Sequence, residues 1–516
     1  MNLVKMRIFL SVLAVCGVCV WAQEHNSVPL DHAAYGLIEM GVMRGIIRPP
    51  SASKPWSAAA VQKALWEMLD NSFHLLSETE TDTVSYVLNT LERGPVGFGW
   101  ENVFSAQAVG DSPVNVSVGK IYTEGGIGYA ASWNVTALGQ FMYNGGSDCG
   151  YTLGNGGAFS LRTTYAYFGL EGELNLVTAN SMQFRLGRIR RDWGPQANGA
   201  SLFMNAQARP FSAFEWAVSP LTWLDCYALL GALEYHLDDA RVSGDGPFRN
   251  MLSVLWLEIN PVEYVHVDMG GSAVFAHAVN MAFFTNLEFR LPRFFKLWGS
   301  LFVDSLDMSA ENILVQSNSI FAFQGGLKTV VHWLPFAAFT LRYTKVEPYC
   351  YTGAYETRDY GGSALPASFI NDGDSPGLHL PPNSDELLLR LESRLSPRLN
   401  AWVQYQLMRR GADYGYGAIG GSSLRDTFDD SREFKYFLKD GVYRWDNIIR
   451  LGGSWNLRFG AMPVTISAET GFVTRRFTIN GKAGVGNEAE YEALDDSVYP
   501  AGRGLVFSVG FRLFPW

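Results

Sequence analysis

Between Gly187 and Phe211 the chain gathers side chains able to recognise carbohydrate. Arg188, Arg190, Arg191 and Asp192 end one alternating segment, Trp193, Gly194 and Pro195 follow, and Ser201, Leu202, Asn205, Ala208, Arg209 and Pro210 complete the stretch. An indole offers a flat apolar face to a sugar ring, while guanidinium, carboxylate and amide groups hydrogen-bond its hydroxyls. The same residues can equally build a rigid loop folded into a larger wall, so both readings stand at this stage. On the first of them, Arg188, Arg190, Arg191, Asp192, Trp193, Asn205 and Arg209 are the candidate ligand-binding residues.

Catalysis has less to work with. The Gly-Gly-Ser runs starting at Gly270, Gly361 and Gly420 lack a nucleophile elbow, and eight scattered histidines show no metal-ligand spacing. Asp372 with Asp374, Asp429 with Asp430, and Asp495 with Asp496 carry the oxygen donors that calcium takes, but they read as solvated loop acids. Neither an enzyme nor a metal or cofactor site is expected.

The elements that position these residues follow a two-residue rhythm, plainest between Glu386 and Leu407. Leu387, Leu389, Leu391 and Leu395 alternate with Leu388, Arg390, Glu392 and Arg394. After a turn at Ser396, Pro397 and Arg398, Leu399, Ala401, Val403, Tyr405 and Leu407 alternate with Asn400, Trp402, Gln404 and Gln406. Such a strand meets two different solvents. The rhythm starts near Gly97 and returns at Phe159–Tyr167, Leu174–Leu186, Val265–Met269, Phe339–Tyr343, Ile449–Trp455 and Val464–Phe472. Charged residues are only 17% and aromatics 14% of the 516 residues, and 53 are glycines. Nothing beyond the N-terminus runs apolar for the roughly 18 residues a membrane helix needs. These features predict an all-β transmembrane protein, an antiparallel outer-membrane β-barrel with its apolar face to lipid and mixed charges lining a hydrated lumen.

Tight turns carry proline or asparagine, as at Asn260 and Pro261, Pro292 and Arg293, Leu334 and Pro335, 396–398, and 461–463. Connections at 236–250, 304–319, 349–385, 409–447 and 475–503 are long. Short turns on one side and long loops on the other are the mark of this class. At roughly 10 spanning residues per strand, the length implies an even count of 16 to 20, with 18 expected. The last segment alternates Leu505, Phe507, Val509, Phe511 and Leu513 with Ser508, Gly510 and Arg512 and stops at Trp516. Barrel-assembly machinery reads a terminal strand of that kind, so it is an expected partner during insertion, as is the lipid bilayer afterwards.

Residues 1–22 have the charged start (Lys5, Arg7), apolar run (Ile8–Trp21) and small-residue end (Ala22) of a secretory signal peptide. Cys16 and Cys19 inside that run raise lipid attachment as an alternative, though valine precedes each. Cleavage takes two cations and no anion, moving the formal charge from −10 to −12, and an acidic chain without a basic stripe argues against nucleic acid. Of the remaining cysteines, Cys149 and Cys350 fall in loops and can bridge in an oxidising compartment; Cys226 is the third.

Residues 23–95 predict a small helical bundle, read as a periplasmic module or plug, with 96–516 as the barrel. Asp31, Ser57 and Ser77 are the expected caps of three helices, the first ending near Gly41, and Ser77 with Glu80 has capping-box spacing. Val28, Pro29, His32, Ala34, Tyr35, Gly41, Val42 and Pro55 resemble a surface-layer-homology module, with Trp56 and Ser57 where that family has Thr-Arg. That resemblance implies a grip on the cell wall through residues 28–93.

Gly187, the turn Trp193-Gly194-Pro195, Ser201-Leu202, and Asn205 with Ala208, Arg209 and Pro210 resemble the capsule-assembly Wzi family of outer-membrane barrels. Gln207 interrupts the asparagine-rich spacing of that family. The resemblance implies an 18-stranded barrel with a periplasmic helical bundle, located in the cell outer membrane, that binds or tethers capsular or other extracellular polysaccharide without enzymatic activity. Long loops carrying Tyr349, Tyr351, Tyr355, Tyr360, Tyr414 and Tyr416 add aromatic surface for a glycan. A porin-like channel and a linker from outer membrane to wall are the competing expectations.

Overall fold

A computed structural model describes residues 25–513 apart from 72–74, 92–94, 108–110, 128–130, 145–157, 162–163, 180–181, 196–199, 235–248, 276–278, 307–313, 315–318, 353–366, 372–373, 416, 425–434, 460–461 and 481–493. The expected signal peptide at 1–22 and Trp516 therefore lie outside the described residues. Three helices come first, α1 (Ala34–Met43), α2 (Ala58–Asp70) and α3 (Glu78–Thr90), with a two-residue strand β1 (Ser53–Lys54) before α2. Then follow β2 (Val96–Gln107), β3 (Asp111–Ile127), β4 (Ala131–Asn144), β5 (Ala158–Leu161), β6 (Thr164–Ala179), β7 (Met182–Ile189), β8 (Asp192–Trp193), β9 (Phe211–Leu221), β10 (Leu224–Glu234) and β11 (Arg249–Val262). The rest are β12 (Val265–Phe275), β13 (Val279–Leu291), β14 (Phe295–Ser305), β15 (Ile320–Val331), β16 (Ala337–Val346), β17 (Ser384–Ser396), β18 (Leu399–Gly411), β19 (Gly441–Phe459), β20 (Met462–Asn480) and β21 (Gly502–Leu513).

Leaving aside β1, β5 and β8, these strands make a closed antiparallel barrel of 18 strands, the expected number. Closure comes from the last strand, which pairs with β20 and with β2 (Trp100↔Leu513), so no edge is left there to lipid. The wall is apolar outside: on β13, Met281, Phe283, Leu287 and Phe289 are exposed while Ala282, Phe284, Asn286 and Glu288 between them are buried. A row of exposed leucines and phenylalanines of this kind is a face for hydrocarbon.

Several local expectations change. Phe159–Tyr167 is not one strand: β5 and β6 are separate and pair as a hairpin, Leu161 opposite Thr164. Asn260 and Pro261 lie within β11, and the chain reverses at Glu263 and Tyr264. Strands β18 to β21 run past the expected loop boundaries, so the connection begun at 409 starts after Gly411 and the one begun at 475 after Asn480.

The lumen differs most from expectation. Across β9–β16 it is filled by an apolar core in which Trp256, Phe284, Phe302, Leu252 and Val274 point inward against Trp193 of β8 and Phe203, Tyr351 and Phe369 from loops. Mixed charges therefore line only part of the interior, because several of these strands are apolar on both faces over their loop-side halves, while Glu258, Asp268, Glu288 and Lys296 are buried nearer the short turns.

The helices pack against the short-turn end. Val61, Leu65 and Met68 of α2 and Val84, Val87 and Leu88 of α3 close over Leu37 and Ile38 of α1, and the same cluster takes in Phe336, Val330 and Ala338 of the barrel. Hydrogen bonds from the barrel backbone tie the two parts: Arg293 N donates to Met43 O (2.7 Å) and Phe336 N to the Glu80 side chain at Oε1 (2.9 Å). Ser57 caps α2, and Ser77 with Glu80 forms the capping box of α3. Asp31 caps nothing: the N-cap of α1 is Ala33, the helix runs on to Met43, and Asp31 instead pairs with Arg512 at 2.9 Å. No described helix is long and apolar enough to cross a membrane.

Because Glu80 also pairs with Arg44 (2.7 Å) besides receiving Phe336 N, its loss has a larger effect than that of its capping partner. Ser77→Ala is expected to cost about 1 kcal/mol, whereas Glu80→Ala, which strands a buried guanidinium, costs about 3–5 kcal/mol. Hydrogen exchange of α3 amides in the two variants checks this; equal losses would contradict it.

Candidate functional site

The stretch singled out in the sequence leaves the wall and turns inward. Strand β7 ends at Ile189, opposite Phe211 at the start of β9, and the described residues between them, 190–195 and 200–210, lie across the lumen. Lys54 and Ser53 pair with Asp192 and Trp193 in a two-stranded sheet, so the N-terminal segment holds one end of the crossing. Trp193 exchanges backbone bonding with Met204 (N to O, 3.0 Å) and accepts from the Ser201 hydroxyl. Its indole is 1% exposed and packs on Trp256 at 4.7 Å and Tyr227 at 6.0 Å. Asn205 closes the turn: its backbone N–H donates to Pro376 O (2.8 Å) and its side-chain oxygen accepts from Gln207 N (2.8 Å).

The far end is held by the loop after β16. Tyr351 Oη donates to Leu202 O at 2.6 Å, and Tyr351 N donates to Asp304 Oδ2 at 2.6 Å. Gly377 lies so near Leu202 that a β-carbon there would sit 2.1 Å from its carbonyl oxygen, which explains glycine at this position. Lys296 Nζ donates to Pro195 O (2.9 Å) and Gln324 Nε2 to Ala200 O (2.9 Å) from the barrel wall.

Charge at the root of the crossing is neutralised by a buried cluster. Arg185 reaches Glu173 (3.3 Å) and Glu215 (3.2 Å), and Arg191 pairs with Glu215 while lying on the Phe211 ring at 4.6 Å. Arg191 also donates to Ile189 O (2.9 Å) and Phe211 O (3.1 Å). The buried Asp192 carboxylate is paired with Lys54 Nζ at 3.2 Å.

Of the seven candidate residues, Arg191, Trp193 and Asn205 are packed inside this crossing, and Asp192, buried and paired with Lys54, lies at the edge of the cavity described next. Arg188, Arg190 and Arg209 face a cavity of about 1010 Å³ between the helices, β2–β7 and the inner side of β17. Arg190 is exposed there, and Arg209 donates to Asp374 Oδ2 at 3.1 Å. Lys120, Glu171, Arg390 and Arg394 line the same cavity. Arg390 and Arg394 sat on the polar face of the alternation, but nothing in the sequence marked Lys120 and Glu171 as their neighbours across the lumen.

The other sequence candidates fall as follows. Tyr349 and Tyr351 are buried in the apolar core, where they cannot meet a glycan, whereas Tyr414 is 38% exposed and stacks on Tyr499 at 5.8 Å; Tyr355, Tyr360 and Tyr416 lie outside the described residues. Cys350 is a free, buried thiol rather than half of a bridge, and Cys226 is free as well; Cys149 lies outside the described residues. Asp374 pairs with Arg209, and Asp495 accepts from Ser497 N and Oγ (2.8 and 2.7 Å). Asp372, Asp429 and Asp430 lie outside the described residues. Among the described residues no three His, Cys, Asp or Glu side chains converge to hold a metal ion.

A second buried cluster locks the helices to the lumen. Glu39 of α1 reaches Lys296 (2.5 Å) and Lys328 (2.8 Å), and Lys328 also reaches Glu392 (3.0 Å). Burial alone would raise the Glu39 carboxyl, but the two ammonium groups hold it down at about 2 against an ordinary 4.5. A depressed carboxyl contributes stability that is whole above its unfolded value and is lost as pH falls through its folded one. Docking of α1 is therefore expected to weaken only between about pH 4.5 and pH 2, and Glu39→Gln to flatten that slope while weakening docking at neutral pH. Exchange protection of α1 amides against pH is the measurement; an unchanged slope in the variant would contradict the assignment.

No protein-family model matches the sequence, and no curated protein matches it either. Among solved structures the chain is similar to Wzi of Escherichia coli, an outer-membrane protein involved in group 1 capsule assembly and described as a carbohydrate-binding β-barrel. The match has a TM-score of 0.60 at 11% identity, covering 94% of this chain and 99% of that one. Weaker matches include OccD3 of Pseudomonas aeruginosa, with a TM-score of 0.45 at 13% identity over 81% of this chain and 91% of that one. OprD of the same organism gives 0.42 at 12% over 81% and 94%. The fold is thus that of an outer-membrane barrel, and the likeness read from the Trp193–Pro210 motif extends to the whole architecture.

Proposed function

We propose that this outer-membrane barrel is a non-enzymatic receptor that holds capsular or other extracellular polysaccharide at the cell surface. The observation that carries the reading is the packed crossing formed by 190–195 and 200–210: an aromatic core fastened to Ser53 and Lys54 on one side and to Tyr351 and Pro376 on the other occupies lumen that a diffusion channel would leave to water. Arg188, Arg190 and Arg209, on the face of that crossing toward the cavity, are the residues assigned to the glycan. Their guanidinium forks suit hydroxyl and carboxylate oxygens. Four buried members of the original set support them from behind.

The test is retention of the native envelope polysaccharide by the purified protein. Arg190→Ala combined with Arg209→Ala is expected to lower retention about tenfold or more, on the scale of truncating central binding residues. Retention equal to wild type would remove the cavity from the account, and a wild-type protein that retains no surface glycan would remove the receptor reading. The cavity of about 1010 Å³ with its polar lining favours a second reading, a solute-specific channel along β2–β7. The wall-linker reading rests on the likeness of residues 28–65 to surface-layer modules, and sedimentation of the full chain with cell-wall sacculi tests it.

A further inference from the structure

At the loop-side rim the lipid-facing rows change character. Tyr405, Ile449, Phe472 and Leu505 stand in register across β18–β21, and Ile449, Phe472 and Leu505 are exposed apolar residues of the outer face. Four residues nearer the loops on β18, β19 and β20, and so on the same face, the row reads Arg409, Trp445, Arg476. It continues the other way through Asp385 and Lys345 to Phe323. Arg503 of β21 pairs with Thr474, one step below Arg476.

The chemistry of the row is that of a membrane interface carrying excess positive charge. The Arg409 and Arg476 guanidinium groups lie 5.0 and 4.7 Å from the Trp445 ring centre, which fixes both at one height. Arg409 is bonded to Asp385 (Nε to Oδ1, 2.8 Å), and Lys345 and Lys435 share Glu347 (3.4 and 2.7 Å). Arg476 and Arg503 are exposed and have no acidic partner among the described residues. Among the described residues of the row, five cations thus stand against two anions, at the level where the Trp445 indole and the end of an apolar belt place lipid headgroups.

We propose that this outward row, centred on Arg476 and Arg503, binds the phosphate of anionic lipids in the surface leaflet and sets the height and tilt of the barrel there. Planar guanidinium groups pair with phosphate oxygens in two parallel hydrogen bonds, and the adjacent Phe472 and Leu505 receive the first part of an acyl chain. The lipid, rather than free phosphate, is the fitting occupant because the cations stand directly above that apolar surface.

The experiment is native mass spectrometry of the full-length protein in detergent with equimolar phosphatidylglycerol and phosphatidylcholine, repeated with excess inorganic phosphate. Wild type is expected to retain phosphatidylglycerol selectively, with inorganic phosphate failing to displace it. Arg476→Gln with Arg503→Gln is expected to lower that retention roughly 25-fold, about fivefold per cation. Arg398→Gln with Arg458→Gln, at the opposite rim, is expected to leave it unchanged. Equal retention of the two lipids by wild type, displacement by inorganic phosphate, full retention by the Arg476 and Arg503 variant, or an equal loss in the control pair would each overturn the proposal. Both altered residues are exposed, so heat-modifiable migration of each variant shows that the barrel is intact.

Discussion

Trp193→Ala is expected to destabilise the lumen by about 3–5 kcal/mol, the range for removing a buried indole and leaving its cavity. Trp193 is the side chain on which the crossing turns: it is wholly buried, lies on Trp256, and belongs to the same short segment that pairs with Ser53. The wall itself is held by strand pairing and lipid, so the loss falls on the crossing rather than on the barrel. Near-ultraviolet circular dichroism and urea unfolding, read separately for the crossing and the barrel, check this. The expected outcome is loss of the aromatic signal with heat-modifiable migration retained; a variant as stable as wild type would mean that the crossing is held elsewhere.

Glu215→Ala has an effect of similar size for a different reason. Glu215 sits between Arg185 and Arg191, both buried, and its removal leaves two guanidinium groups in the wall with only Glu173 to answer them. Stranding buried charge costs about 3–5 kcal/mol, whereas replacing a buried pair by apolar residues of like volume is near neutral. Glu215→Leu with Arg191→Met is therefore expected to recover much of the loss seen in Glu215→Ala. If the double variant is no more stable than the single one, the cluster is not acting as a charge-balanced unit.

Much of this architecture was legible beforehand because it rests on period and punctuation. Alternation along β17 and β18, the short turns at 292–293 and 396–398, and the alternating last strand identify a closed barrel without reference to any side-chain contact. The Ser57 and Ser77 caps are local chemistry and were equally readable. Asp31 was not, since its partner Arg512 lies at the other end of the chain.

The filled lumen was hidden for a similar reason. Alternation assumes polar residues inside, yet β11 and β13 are apolar on both faces over their loop-side halves, with Trp256 and Phe284 pointing in while Leu255 and Phe283 point out. Doubly apolar strands beside singly apolar ones such as β17 were the available signal. Their partners Phe203, Tyr351 and Phe369 come from loops that no spacing rule connects to them. The motif at 187–211 was visible as unusual, and either of its readings fitted its composition. Only burial separates Arg191, Asp192, Trp193 and Asn205, which hold the loop, from the more accessible Arg188, Arg190 and Arg209.

A barrel whose interior is crossed by packed aromatic residues and closed at the short-turn end by helices has a distinct electrical signature. Single-channel recording of the purified full-length protein in planar bilayers tests that most directly. Insertion without steady conductance is the predicted result, and stable open channels in the wild-type protein would contradict the stoppered, glycan-holding account.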